Sequence, residues 1–319
     1  MRFITFRHLA GGAAICAVLC LAACANNTIT IIGGSGTATP TTASSSSTPV
    51  ATLPPPVTTT PVAPTPIPLP TTPPTATPPS TPAPYTHLVY AQQNLSGGSV
   101  GPVTATCPAG QVALGGGWAT SGYGNVYNSS RSGNSWQVYV DNYGSSDLVN
   151  AYVMCLVNQP AAVVTQRLNQ ISVPGSTSSN GYAYCQSGEI LVGGGFALSS
   201  TISLNVQEFN TTDTAWHGNF SNFGSSAALA NTYAICLQGN HMFASPQGNP
   251  TTVAANSYGG SAATCPPGFV VTGGGYGISS AAVVYNSSPT SNGWEAYSKV
   301  LSLSPSSTLT PTAQCVKFS

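Results

Sequence analysis

The sequence predicts an all-β body of three tandem, disulfide-paired antiparallel repeats, following a disordered Pro/Thr-rich stalk. Three observations lead there. Six cysteines fall at positions 107, 155, 185, 236, 265 and 315, two per copy. Each first cysteine is followed by a triple glycine and then an aromatic residue: Gly115-Gly116-Gly117-Trp118, Gly193-Gly194-Gly195-Phe196 and Gly273-Gly274-Gly275-Tyr276. After each of Trp136, Trp216 and Trp294 the chain alternates with period two, as a half-buried strand does.

The cysteine spacing selects one pairing per copy: Cys107 with Cys155, Cys185 with Cys236, and Cys265 with Cys315. A copy of ~75 residues has a thin core. Closing a loop of about 50 residues with a disulfide offsets this by roughly 4 kcal/mol. The inward residues of the alternating strands are Trp136, Val138, Val140; Trp216, Gly218, Phe220; and Trp294, Ala296, Ser298. The outward set includes Gln137, Tyr139, Asp141; His217, Asn219, Ser221; and Glu295, Tyr297, Lys299. Two arrangements satisfy the pattern: three small sandwich-like units in contact, which is the expectation, or one pseudo-threefold β-prism.

The N-terminus reads as a targeting device. Arg2 and Arg7 precede an apolar run from Leu9 to Ala23 that is short for a ~20-residue membrane span. The run ends in Leu21-Ala22-Ala23-Cys24, which resembles the lipobox of bacterial lipoproteins. That resemblance implies a signal peptide over 1–23, acylation of Cys24, and anchoring to the outside of the cell membrane or outer membrane. Residues 24–84 form the linker; from Gly33 to Pro84 it has no charged and no aromatic residue, so nothing there builds a core. Repeats are expected over 85–160, 161–240 and 248–319, with 239–250 as linker and a further strand between Ala161 and Val173.

Composition narrows the function classes. Only 4% of residues are charged, six Lys+Arg and six Asp+Glu, so no dense basic stripe exists for nucleic acid. The glycine runs lack the Lys and Ser/Thr of a phosphate loop and read instead as close-approach or bulge positions. No metal site and no cofactor is expected, because the cysteines pair in an oxidising compartment and no histidine repeats with them. His217 aligns with Gln137 and Glu295, so it is expected on a solvated face rather than as a catalytic base. A carboxylate pair such as Glu189 with Glu208 is arithmetically possible for a glycosidase, but nothing in the sequence brings the two together. An enzyme is therefore not expected.

The candidate ligand-binding residues are Tyr127-Asn128, Phe209-Asn210 and Tyr285-Asn286, since a ring beside an amide can stack on and hydrogen-bond a sugar. The competing reading is a packed ring followed by a turn asparagine. The expected partners are the membrane, through the N-terminal lipid, and a surface glycan or other envelope component. A purely structural spacer explains the stalk and disulfides equally well, and a secreted hydrolase ranks below both.

The combination Cys-Pro-x-Gly, Gly-Gly-Gly, Trp and a closing Tyr-x-x-Cys, as in Tyr152 to Cys155 and Tyr233 to Cys236, resembles repeats of uncharacterised secreted proteins of soil bacteria. It covers 87–319 and implies no activity. A fainter similarity is to vitelline membrane outer layer proteins, which fold three β repeats into one prism. There the shared features are the Cys-Pro-x-Gly starts and an asparagine before the closing cysteine, as at Asn150 and Asn231. The triple glycine is foreign to that family, and the third copy ends Thr312-Ala313-Gln314-Cys315 without the Tyr or Asn. Only the threefold idea is carried over.

Overall fold

The computed structural model describes residues 82–318, apart from 123, 199–203, 211–213, 280–281 and 302–305; of 204–210 only the backbone is described. Cys24, the expected signal segment and nearly all of the expected stalk lie outside the described residues. Within them every regular element is a strand. Repeat 1 holds β1 (Tyr85–Leu95), β2 (Val100–Thr106), β3 (Val112–Thr120), β4 (Gly124–Ser132), β5 (Ser135–Asn142) and β6 (Asp147–Val157). Repeat 2 holds β7 (Val164–Val173), β8 (Thr177–Tyr184), β9 (Glu189–Leu198), β10 (Leu204–Asn210), β11 (Ala215–Asn222) and β12 (Ala228–Gln238). In repeat 3 the first strand is split into β13 (Met242–Ala244) and β14 (Thr251–Val253), followed by β15 (Tyr258–Thr264), β16 (Val270–Ile278), β17 (Val283–Pro289), β18 (Gly293–Lys299) and β19 (Ser307–Lys317). The strand expected after Ala161 is β7, and β13 lies within the segment read as linker.

The inward and outward faces follow the period-two reading. Trp136, Val138, Val140, Trp216, Phe220, Trp294, Ala296 and Ser298 are all buried, whereas Tyr139 and Lys299 are half-buried and Tyr297 is exposed. The exception is His217, expected on a solvated face but buried. Its ring stacks flat on Tyr182 of the neighbouring β8, with centroids 4.2 Å apart and planes 3° apart. An outward position is thus covered by a large ring from the next strand.

Sheet order decides between the two arrangements. The sheets are shared between repeats instead of each repeat closing on itself. One six-stranded sheet runs β1-β6-β3-β17-β18-β15, three strands from repeat 1 and three from repeat 3. The second runs β2-β5-β4-β9-β12-β7, joining repeats 1 and 2. On the third side β8-β11-β10 of repeat 2 packs through β10 against β16; β16 pairs with β19, whose other edge carries the short strands β13 and β14. The arrangement is the pseudo-threefold prism, and every repeat spans two of its sides. The physical reason is the thin core: a repeat folded alone leaves one face of each half-sheet bare, and the neighbouring repeats cover it.

All three expected disulfides are present, with separations of 48, 51 and 50 residues. Cys107 follows β2 while Cys155 lies in β6, so each bridge ties two different sides at one corner of the prism. A tryptophan fills each corner. Trp136, Trp216 and Trp294 lie on the middle glycines Gly116, Gly194 and Gly274, where an added Cβ would fall 2.4, 2.0 and 2.3 Å from the indole. The indole N–H of Trp136 donates to Ser129 Oγ at 2.9 Å, and that of Trp294 to Ser287 Oγ at 3.0 Å.

The first glycines of the three runs meet one another at the centre. A Cβ on Gly193 would stand 2.9 Å from Gly115 Cα, one on Gly115 3.0 Å from Gly273 Cα, and one on Gly273 2.9 Å from Gly193 Cα. Beside them Trp118 packs edge-on against Phe196 at 5.7 Å and Tyr276 at 6.2 Å. The triple glycine and its aromatic are therefore the joint between repeats, which is the structural role expected of them.

Candidate functional site

The outer faces of the two six-stranded sheets carry the same row of side chains. Across the first, strand pairing aligns Gln92, Asn150, Ala119, Asn286 and Tyr297, from β1 through β18. Across the second it aligns Gln170, Asn231, Ala197, Asn128 and Tyr139, from β7 through β5. Gln92 Nε2 donates to Asn150 Oδ1 at 2.9 Å, and Gln170 Nε2 donates to Asn231 Oδ1 at the same distance. Each row crosses a junction between repeats at the alanine. On the third side β16 and β19 place Gly277 opposite Thr310 at the equivalent positions, so that half of the row is missing.

Tyr127 and Tyr285 sit at register shifts, between Val126 and Asn128 and between Val284 and Asn286. Such a bulge re-aims its side chain. Both tyrosines are half-buried rather than fully exposed. Tyr127 meets Tyr139 at 5.8 Å between centroids; Tyr285 meets Tyr258 at 5.9 Å and Tyr297 at 6.2 Å. Burial, then Asp141 and Tyr139, pushes the Tyr127 phenol above its ordinary pKa; burial, then Tyr297 and Tyr258, does the same for Tyr285. These hydroxyls stay protonated at neutral pH and can donate hydrogen bonds.

The amides of Asn128 and Asn286 engage neighbours one step off the rows. Asn128 Oδ1 accepts from Ser130 Oγ at 2.7 Å, and Asn286 Nδ2 donates to Glu295 Oε1 at 3.0 Å, where Ser288 Oγ also donates at 3.3 Å. The third predicted pair, Phe209-Asn210, has side chains outside the described residues. Its backbone sits in a different register: Asn210 is opposite Trp216, while Asn128 and Asn286 are opposite Tyr139 and Tyr297. The spacing to the following tryptophan carried this signal, since Phe209 lies two residues closer to Trp216 than Tyr127 does to Trp136.

Sequence reasoning did not place Tyr152 and Tyr233 in these faces, although the closing Tyr-x-x-Cys marks both. Tyr152 stands beside Tyr90, centroids 6.4 Å apart. Burial, then the Glu295 carboxylate and then Tyr90, raises its pKa, so Tyr152 of repeat 1 and Glu295 of repeat 3 share one electrostatic neighbourhood across the junction. Tyr233, two residues along β12 from the second row, accepts from Asn231 Nδ2 at 3.5 Å.

The remaining chemistry-bearing groups are engaged elsewhere. Arg167 and Glu189 form an ion pair at 2.6 Å; the Arg167 hydrogen bond, opposed by burial, holds the Glu189 carboxyl below the usual carboxylate range, with help from the Gln186 N–H. Glu189 also lies near Cys185 and Cys236, but their sulfurs are bonded to each other and offer no thiolate. Asp147 is buried and accepts from the N–H groups of Ser121 and Gly124 at 2.8 Å each, a clasp on the β3–β4 connection. The Glu208 side chain lies outside the described residues.

Neither protein-family descriptions nor curated proteins give a match to this sequence. The functional reading rests on the chain's own chemistry.

Proposed function

We propose that the chain is an exported lipoprotein, acylated on Cys24, whose stalk holds a non-catalytic glycan-binding β body outside the cell. The observation that carries this reading is the pair of tyrosine and amide rows on the outer faces of two sheets. Neutral amides and protonated phenols match the hydroxyls of a sugar, and the rings offer faces for stacking. The scarcity of charge fits an uncharged envelope component better than an ionic one. The stalk, at ~3.1 Å per residue where polyproline-like, allows the body to reach well clear of a lipid surface.

A purely structural spacer is the second reading, favoured by the half-burial of Tyr127 and Tyr285 in ring clusters. A glycan array probed with the wild-type chain and with a Tyr127→Ala, Phe209→Ala, Tyr285→Ala variant separates the two. Binding that the folded variant loses supports the glycan module, and absence of any binding supports the spacer. Intact-mass analysis of the mature protein tests the anchor, which predicts a diacylated Cys24 at the N-terminus and is refuted by an unmodified chain.

A further inference from the structure

Resting on the glycan reading, we infer that the chain has two saccharide sites, each built across a repeat junction, and cross-links strands of an uncharged polysaccharide. The first site joins Asn150 and Tyr152 of repeat 1 to Asn286 and Tyr297 of repeat 3. The second joins Asn231 and Tyr233 of repeat 2 to Asn128 and Tyr139 of repeat 1. In both, the two amides flank one alanine, Ala119 or Ala197, which leaves the centre of the row shallow.

The ligand class follows from what the two rows share. Gln, Asn, Ala, Asn and Tyr recur in the same order, and none carries charge. The flanking charges do not recur: Glu295 has Gln137 at its place, and Lys299 has Asp141. A ligand held by both faces is therefore recognised through hydroxyls and ring faces. A row across five strands at ~4.8 Å spacing suits several linked sugars rather than one.

The valency follows from the topology. The two rows lie on different sides of the prism, turned away from each other by the pseudo-threefold relation, so a single short saccharide does not span both. Two chains are held instead, and the lipid-anchored body ties them together. The third side has Thr310 and Thr312 where the others have Asn150 or Asn231 and Tyr152 or Tyr233, and it does not complete a third site.

The test uses the full-length protein in detergent with soluble dextran, mannan, galactomannan and arabinogalactan, read by calorimetry for stoichiometry and by light scattering for cross-linking. Two sites per chain and polymer-dependent scattering are expected. The discriminating step combines asparagine variants, each expected to weaken its site by about tenfold. Asn150→Ala with Asn286→Ala removes one site and abolishes cross-linking while one site still binds. Asn150→Ala with Asn128→Ala, both within repeat 1, weakens both sites. The opposite pattern, one site lost by the pair within repeat 1, overturns the junction assignment and leaves the glycan reading standing. A stoichiometry of one, or self-association without polysaccharide, overturns the cross-linking inference alone. No binding to any of the four polymers overturns both readings. Unchanged unfolding midpoints in the variants exclude misfolding as the cause.

Discussion

Replacing Gly115 by alanine probes the joint where the three repeats meet. The new Cβ would stand 2.4 Å from Thr272 O, 3.0 Å from Gly273 Cα and 3.3 Å from Thr272 C. All three obstacles are backbone of another repeat, held in β16 by its pairing with β19, so no side chain can rotate aside. Overpacking a tight core costs about 1–3 kcal/mol, and an immovable backbone places this case at the top of that range. Restricting the unfolded chain returns about 0.4–1 kcal/mol, leaving a net loss of roughly 2 kcal/mol. Gly277→Ala is the matched control: nothing lies within 4 Å of its Cβ, and Ala119 and Ala197 hold the same register position in the other repeats. It is expected to be neutral or slightly stabilising. Thermal unfolding with the disulfides intact should show Gly115→Ala lowered by roughly 4–8 °C at 2–4 °C per kcal/mol. If Gly115→Ala proves as stable as Gly277→Ala, the central contact between repeats is not as described.

Three further outcomes follow from the corners and the buried histidine. Ser129→Ala removes the acceptor of the buried Trp136 N–H and is expected to cost about 1–3 kcal/mol in urea unfolding; a loss below ~0.5 kcal/mol would show that the bond is not made. Replacing both Cys185 and Cys236 by serine opens a 51-residue loop and is expected to cost about 4 kcal/mol, with full retained stability as the contrary result. Burial lowers the pKa of His217, so the fold favours the neutral ring. Its contribution to stability is complete above the ordinary histidine pKa of ~6.5 and is lost as pH falls through the lower folded value. His217→Gln should flatten the stability–pH slope in that window without abolishing it, since burial lowers His241 as well. An unchanged slope refutes the assignment.

What the sequence made legible was local. The alternation after each tryptophan put Trp136, Val138 and Val140 inside because a strand's period does not depend on its partners. The disulfide pairing followed from one recurring spacing. The sharing of sheets was not legible, because β3 with β17 and β4 with β9 each touch through only two register pairs between residues far apart in the chain. The burial of His217 was hidden for a related reason, since its cover comes from Tyr182 on another strand. Of the candidate site, the Tyr-Asn pairs at 127–128 and 285–286 were visible as repeated motifs. Their companions Tyr152, Asn150, Tyr233 and Asn231 were visible only as separate motifs, because each comes from a different repeat than the pair it joins.

Hydrogen exchange on repeat 1 alone, residues 85–160, compared with the full chain tests most directly whether the repeats form one interlocked body. In the full chain the amides of β3 and β4 are held by sheets completed by repeats 3 and 2. With sheets shared between repeats, these amides are protected in the full chain and exchange freely in the isolated repeat, even with Cys107 and Cys155 bridged. Equal protection of β3 and β4 in the isolated repeat would contradict this sharing, and would return the molecule to three separate units.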